Sequence, residues 1–200
     1  GYLEELAEGE IESSPEIYRR LVKETKRLER LVNDLQEISK AEAGYLPINL
    51  QKVHLRPLLE SLVERFSDQL LEDGPLLQLE CPATLPLVLA DIDRTEQILV
   101  NLLGNAIRYT TEGKITMRVW VAADQLWIAV IDTGIGIAPE DLPHVFERFW
   151  RADQSRDRHS GGTGLGLTIS RTLVELQGGQ IQVESQLEVG SEFRFCLPLA

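Results

Sequence analysis

Two hundred residues, 43% hydrophobic and 26% charged, carry enough apolar material for one domain with a real core plus an appendage, and they exclude disorder as the default. A net charge of -12 excludes binding of the whole chain to DNA, RNA or an anionic membrane surface, because both require clustered basic residues to displace counterions. The two cysteines, Cys81 and Cys196, show neither C-x-x-C nor zinc spacing and sit in alternating apolar stretches, which reads as reduced core thiols of an intracellular protein.

No run of about 18 apolar residues is present and no signal peptide precedes residue 1, so the expectation is a soluble piece. It starts without Met on the amphipathic segment Tyr2 to Leu6, which reads as the end of a helix cut from something longer. From 14 to 41 the apolar positions Ile17, Leu21, Leu28, Leu31, Leu35 and Ile38 alternate four and three apart, with Glu24 interrupting the seam once. This heptad stripe predicts a long amphipathic helix that wants partner helices; a helix lying on a globular domain is the other reading. Ser14, Pro15 and Glu16 give the start signal and Gly44 the stop. Residues 1–44 are therefore expected to be part of an antiparallel helical hairpin, and 45–200 a separate domain.

After Gly44 the pattern changes. A strand is expected over 49–55, an amphipathic helix over 56–71, a strand over 76–81 and a long helix over 93–109. Two β-rich runs follow at 114–122 and 125–131, then a helix over 165–176 and a hairpin of 180–184 with 192–198. Helices mixed with antiparallel hairpins predict an α/β (α+β) two-layer sandwich, with a mixed, largely antiparallel sheet of about five strands on three helices.

Two glycine clusters stand out, Asp132 to Ile137 and Gly161 to Leu167. Glycine lets backbone approach a ligand, and N–H groups at a helix start favour anions. Neither cluster has the Lys of a G-x-x-x-x-G-K-[ST] loop, and Gly162, Gly164 and Gly166 are spaced G-x-G-x-G, so a nucleotide would bind in another way. Arg148, Arg151, Arg156 and Arg158 lie between the clusters and form a local positive exception in an acidic chain; a solvated loop is the plain alternative.

On the 93–109 helix, Gln97, Asn101, Asn105 and Arg108 or Tyr109 make a polar line at about one-turn spacing. An amide oxygen can ligate Mg²⁺ without adding charge, while a solvated face would show the same pattern. Asp132 closes an apolar strand, where a carboxylate can accept from an exocyclic amine such as that of adenine; capping of Gly134 is the alternative.

The segments Asn101 to Tyr109, Asp132 to Ile137, Phe146 to Arg151 and Gly161 to Leu167 resemble the N, G1, F and G2 boxes of sensor histidine kinases, in that family's order and spacing. Leu28 to Gly44 is similar to the second helix of the family's dimerisation and histidine-phosphotransfer hairpin, so the resemblance covers nearly the whole chain. It implies the ATP-binding fold shared with gyrase, MutL and heat-shock chaperones, and it implies ATP and Mg²⁺ as ligands. Asn105 would hold Mg²⁺ between the phosphates, with Asn101 on the nucleotide side, Arg108 near the phosphates and Tyr109 near phosphate or sugar. Asp132 would take the adenine amine in a pocket shaped by Gly134, Gly136 and Ile137. Phe146 and Phe149 would anchor a lid over about 138–161, with Arg151 and Arg156 swinging toward the phosphates. Gly162, Thr163, Gly164, Leu165, Gly166 and Leu167 would wrap the phosphate tail.

The resemblance further implies a cytoplasmic part of a bacterial-type signalling protein, a homodimer through a four-helix bundle and a response-regulator partner, with no nucleic acid and no direct membrane contact. One departure matters. The family phosphorylates a His followed by an acidic residue, and His54, His144 and His159 have no such context. The catalytic acceptor and its acid are therefore unassigned, and the chain is expected to bind ATP without phosphorylating itself. The hydrolytic relatives of the fold place a Glu one turn before the metal Asn, where this chain has Asn101. A Ser kinase of anti-sigma type or a degenerate partner-switch module are the remaining alternatives; the heptad helix disfavours the former and the intact boxes the latter.

Overall fold

The computed structural model describes residues 14–70, 74–151 and 163–200. Helix α1 (Pro15–Glu42) starts where Ser14 Oγ accepts from the Ile17 N–H at 3.3 Å, with Pro15 in the first turn and Lys40 in the last. It ends where Tyr45 N–H reaches back to the Lys40 carbonyl at 2.8 Å and Gly44 takes φ +71. Strand β1 (Gln51–Val53), helix α2 (Arg56–Ser67), β2 (Leu76–Glu80), β3 (Val88–Ala90), helix α3 (Ile92–Tyr109), β4 (Lys114–Ala122) and β5 (Gln125–Asp132) follow. A short 3₁₀ turn (Leu142–His144), helix α4 (Gly166–Leu176), β6 (Ile181–Gln186) and β7 (Gly190–Pro198) complete the described chain.

The main sheet has the order β2-β4-β5-β7-β6, with β2 parallel to β4 and every other pairing antiparallel. Its inner face carries Ile115, Met117, Val119, Ile128, Val130, Phe193 and Phe195, against Ile98, Leu102, Ile169 and Leu173 of α3 and α4 and Leu59 and Leu62 of α2. Five mixed strands on three helices is the architecture expected from the sequence. On the opposite face Trp120 and Trp127 stack with ring centroids 6.0 Å apart.

Some expectations are corrected. The strand expected over 49–55 shrinks to β1 and pairs outside the main sheet with β3, a strand of three residues that is too short to show periodicity. Helix α2 stops at Ser67, where Asp68 N–H closes on the Glu64 carbonyl. The final hairpin is longer, its strands reaching Gln186 and Gly190, because a tight tip with Glu188 at φ +61 extends the ladder and leaves Leu187 and Val189 exposed. The heptad seam of α1 is not one surface. Leu31 and Ile38 pack into the core of the α/β layer, while Leu28 is 62% and Leu35 42% exposed, so the last turns of α1 lie on the domain.

Candidate nucleotide site

Asp132 is the last residue of β5 and continues the inward-facing row of Ile128 and Val130, so strand alternation aims its carboxyl at the helical layer. It is 8% exposed. Its Oδ1 accepts the Gly134 N–H at 2.9 Å, so the capping alternative is realised, and the backbone N–H of Ser191, its partner across the β5–β7 ladder, favours the charged form of the carboxyl. Burial pushes the carboxyl above the ordinary Asp range, partly offset by those two N–H groups.

The first glycine loop is gripped from two sides. Ile135 N–H donates to the Tyr109 carbonyl at 3.2 Å, Glu188 N–H to the Ile135 carbonyl at 2.7 Å, and Ile137 N–H to Ser185 Oγ at 2.8 Å. Gly136 sits at φ +67, and a Cβ there would lie 2.0 Å from the Gln186 carbonyl oxygen, so only glycine lets the loop meet the hairpin tip.

The two amides of α3 have different surroundings. Asn101 Nδ2 donates to the Gly166 carbonyl at 3.2 Å and to Ser170 Oγ at 3.3 Å, which ties α3 to the first turn of α4. Asn105, one turn on and half-buried, makes no side-chain hydrogen bond among the described residues, so its carbonyl oxygen is available to a cation. Gln97 departs from the expected polar line: its amide donates to Glu37 of α1 at 2.6 Å. Arg108 and Tyr109 are exposed at the end of α3, and Arg151 is half-buried.

At the second cluster, Gly164 takes φ +73 and its carbonyl accepts from Phe149 N–H at 3.0 Å. Leu165 at the N-cap of α4 has no side chain to cap the first turn, which leaves N–H donors for an anion. Thr163 Oγ1 accepts from Leu165 N–H at 3.3 Å and donates to Asp34 Oδ2 of α1 at 2.9 Å. The side chain of Phe146 packs edge-on against Phe193, with centroids 6.3 Å apart. Phe149 differs from the expected second anchor. Its side chain is 56% exposed and its φ is +60, so the segment is held there by backbone and not by the ring. Arg156 and Gly162 lie outside the described residues, as does His159. His54 is exposed, and His144 Nδ1 lies 2.9 Å from Glu147 Oε1.

The structure thus brings Asp132, Gly134, Gly136 and Ile137 together at one end of α3, and Asn101, Gly164, Leu165 and Gly166 beside its middle. Sequence reading missed Ser185 and Ser191, whose hydroxyls lie 3.0 Å apart and support the first glycine loop. The signal was the β5–β7 register, which sets Ser191 opposite Asp132. Among the described residues, no helix is long and apolar enough to cross a membrane, and no group of three or more His, Cys, Asp or Glu could hold a metal ion by itself.

Comparison with known proteins matches residues 90–200 to the family described as histidine kinase-, DNA gyrase B- and HSP90-like ATPase. The sensor histidine kinase MtrB of Mycolicibacterium paratuberculosis is 40% identical over 179 residues, covering 90% of this chain and 32% of that protein. The sensor protein SrrB of Staphylococcus aureus is 37% identical over 205 residues, covering 99% of this chain and 34% of the relative. The chain therefore spans about a third of the length of these relatives. Among solved structures, the histidine kinase AdeS of Acinetobacter baumannii superposes with a TM-score of 0.83 at 27% identity, covering 100% of this chain and 92% of that one. Full-length ShkA in complex with AMPPNP superposes at 0.78 and 29% identity, covering 96% of this chain and 41% of that one.

Proposed function

The chain belongs to the histidine kinase-, DNA gyrase B- and HSP90-like ATPase family, an ATP-binding family, and is homologous to sensor histidine kinases; from that premise we propose that residues 45–200 bind Mg-ATP and deliver its γ-phosphoryl group to a histidine on a first hairpin helix. The observation that carries this reading is the buried Asp132 carboxyl, held by the Gly134 N–H beside a loop that only glycine can form. A carboxylate so placed reads a base with a donor amine, and the open first turn of α4 takes the phosphates.

Asn105 fits a Mg²⁺ ion held mainly by phosphates and water, since its half-buried amide is unengaged and no acidic cluster competes for the metal among the described residues. The ion would supply charge neutralisation across the phosphates; this chain supplies position. Asn101 ties α3 to α4 and has no basic group with which to activate water, which favours transfer over hydrolysis. The likeness to AMPPNP-bound ShkA supports the nucleotide reading. In the full-length protein, α1 is read as the second arm of a dimerising hairpin, its exposed Val22, Leu28 and Val32 meeting partner helices of a four-helix bundle. A response regulator would accept the phosphoryl group on an Asp.

Calorimetry tests this reading. Mg-ATP should bind the wild-type chain, and Asn105→Ala should weaken it by about tenfold or more, with a smaller loss when ATP is titrated in EDTA, because the contact runs through the metal. Retained affinity in Asn105→Ala would remove Asn105 from the site. A second expectation concerns pH. The Asp132 carboxyl must be ionised to accept from an amine, and burial raises its pKa, so protonation sets in at a higher pH than for an ordinary Asp. Adenosine affinity should therefore begin to fall, as pH is lowered, at a higher pH than an ordinary Asp would give, and Asp132→Asn should lose that dependence; the same pH dependence in both proteins would show that Asp132 does not meet the base.

A further inference from the structure

We propose that Asp34 of α1 is an internal competitor of the nucleotide phosphates: docked on the turn before α4, it blocks the phosphate end of the site, and release of α1 opens it. The inference rests on the reading that the phosphates lie at this turn. Thr163 Oγ1 has one proton, and it is donated to Asp34 Oδ2 at 2.9 Å. A phosphate oxygen is an acceptor as well, so the hydroxyl cannot donate to both. The carboxylate also brings like charge to the N-terminal end of α4, an 11-residue helix whose N-cap offers no side chain of its own.

The placement is held by more than one bond. One turn further along α1, Glu37 pairs with Arg94 and accepts from Gln97 at 2.6 Å, both on α3. Ile38 is 4% exposed against the domain core, and Glu42 pairs with Arg148 in the segment that leads to Phe149. Asp34 therefore sits inside a clamp that joins α1 to three parts of the site: the start of α3, the Phe146–Trp150 segment and the turn before α4. It is partly buried there, which pushes its carboxyl upward and makes the contact costly unless it holds a partner. Linkage then works in both directions: whatever draws α1 away strengthens phosphate binding, and phosphate binding loosens α1 by the same factor.

The test titrates the full 200-residue chain with Mg-ATP and, separately, with adenosine, which lacks phosphates. Asp34→Asn and Asp34→Ala should each tighten Mg-ATP about tenfold while leaving adenosine within about twofold. Glu29→Gln, which removes the same charge from the exposed side of α1, should change neither. Asp34→Ala keeps high helix propensity, so it decides the matter if the Asn variant is misfolded by circular dichroism. Unchanged or weaker Mg-ATP binding in the Asp34 variants, with normal binding in wild type, overturns the competition and leaves the nucleotide reading standing. Equal tightening of adenosine and Mg-ATP, or equal tightening by Glu29→Gln, also overturns it. Absence of Mg-ATP binding in wild type and variants alike overturns the nucleotide reading, and the competition with it.

Discussion

Asp132→Ala is expected to weaken ATP binding by about ten- to a hundredfold and to erase discrimination between ATP and GTP. A hydrogen bond to a charged partner contributes about 1.5–3 kcal/mol, and each 1.4 kcal/mol is about tenfold in affinity. In this chain the carboxyl is buried and pre-oriented by the Gly134 N–H, so little of that energy is lost in ordering it. The sign of the discrimination follows from the donor pattern. The exocyclic amine of adenine faces the carboxylate as a donor, whereas guanine presents a carbonyl oxygen at that position and sets acceptor against acceptor. A site built to take a hydrogen bond rejects the ligand that cannot give it. Removing the carboxylate removes the attraction and the repulsion together. ATP should lose affinity and GTP should lose less or gain, which a loss of fold would not reproduce. Competitive displacement of a fluorescent ATP analogue by ATP and GTP, with a thermal melt of each variant, measures this directly. Preserved tenfold preference for ATP in Asp132→Ala would assign base recognition to another group.

The legibility of this site in the sequence varied with how locally each feature is encoded. Asp132, Gly134 and Gly136 were readable because strand alternation, the run of apolar residues and a glycine pair all lie within about ten positions. Helix α1 was readable to within about a residue at each end, since its caps are local: Ser14 with Pro15 at the start and Gly44 at the stop. What α1 touches was not readable. Its heptad seam predicts partner helices for Leu31 and Ile38, yet these two pack on the domain, and Asp34 and Glu37 find partners 129 and 57 or 60 residues away. Such contacts depend on how two separately formed elements come together, and no sequence period records that. Strand β3 was lost for a different reason. Three residues cannot display alternation, and β3 is held by distant partners, β1 on one side and a bridge from Val88 to Leu199 on the other. The resemblance implies Phe149 as a second anchor of the lid, while its backbone takes φ +60 and its ring is exposed, a local conformation that no motif records. Gln97 likewise belonged to the polar line by spacing and to Glu37 by geometry.

Phosphoryl transfer from labelled Mg-ATP should be absent with the 200-residue chain alone and should appear when a hairpin domain bearing a His followed by an acidic residue is added, a difference of at least about a hundredfold in acid-labile label. In the transfer, the bond between the γ-phosphorus and its bridging oxygen breaks, a phosphorus–nitrogen bond forms at the imidazole, and ADP leaves with the bridging oxygen. The acceptor must therefore bring a neutral ring nitrogen in line with the phosphate, with a neighbouring acid to take or hold its proton. Neither described histidine is followed by an acidic residue: His54 precedes Leu55 in an exposed position after β1, and His144 precedes Val145 beside the 3₁₀ turn, its Nδ1 already engaged with Glu147. Hydrolysis is disfavoured on the donor side as well. Asn101 spends its amide protons on the Gly166 carbonyl and Ser170 Oγ, and an amide oxygen is too weak a base to activate water. Labelled phosphate released by the chain alone should accordingly be slow compared with transfer to the added hairpin, and Asn105→Ala should abolish the transfer while leaving the helical and sheet content unchanged. Label appearing on His54, His144 or His159 without the added domain would show that the acceptor lies within this chain. Rapid phosphate release without transfer would instead move the chain to the hydrolytic branch of the fold, with a base other than Asn101.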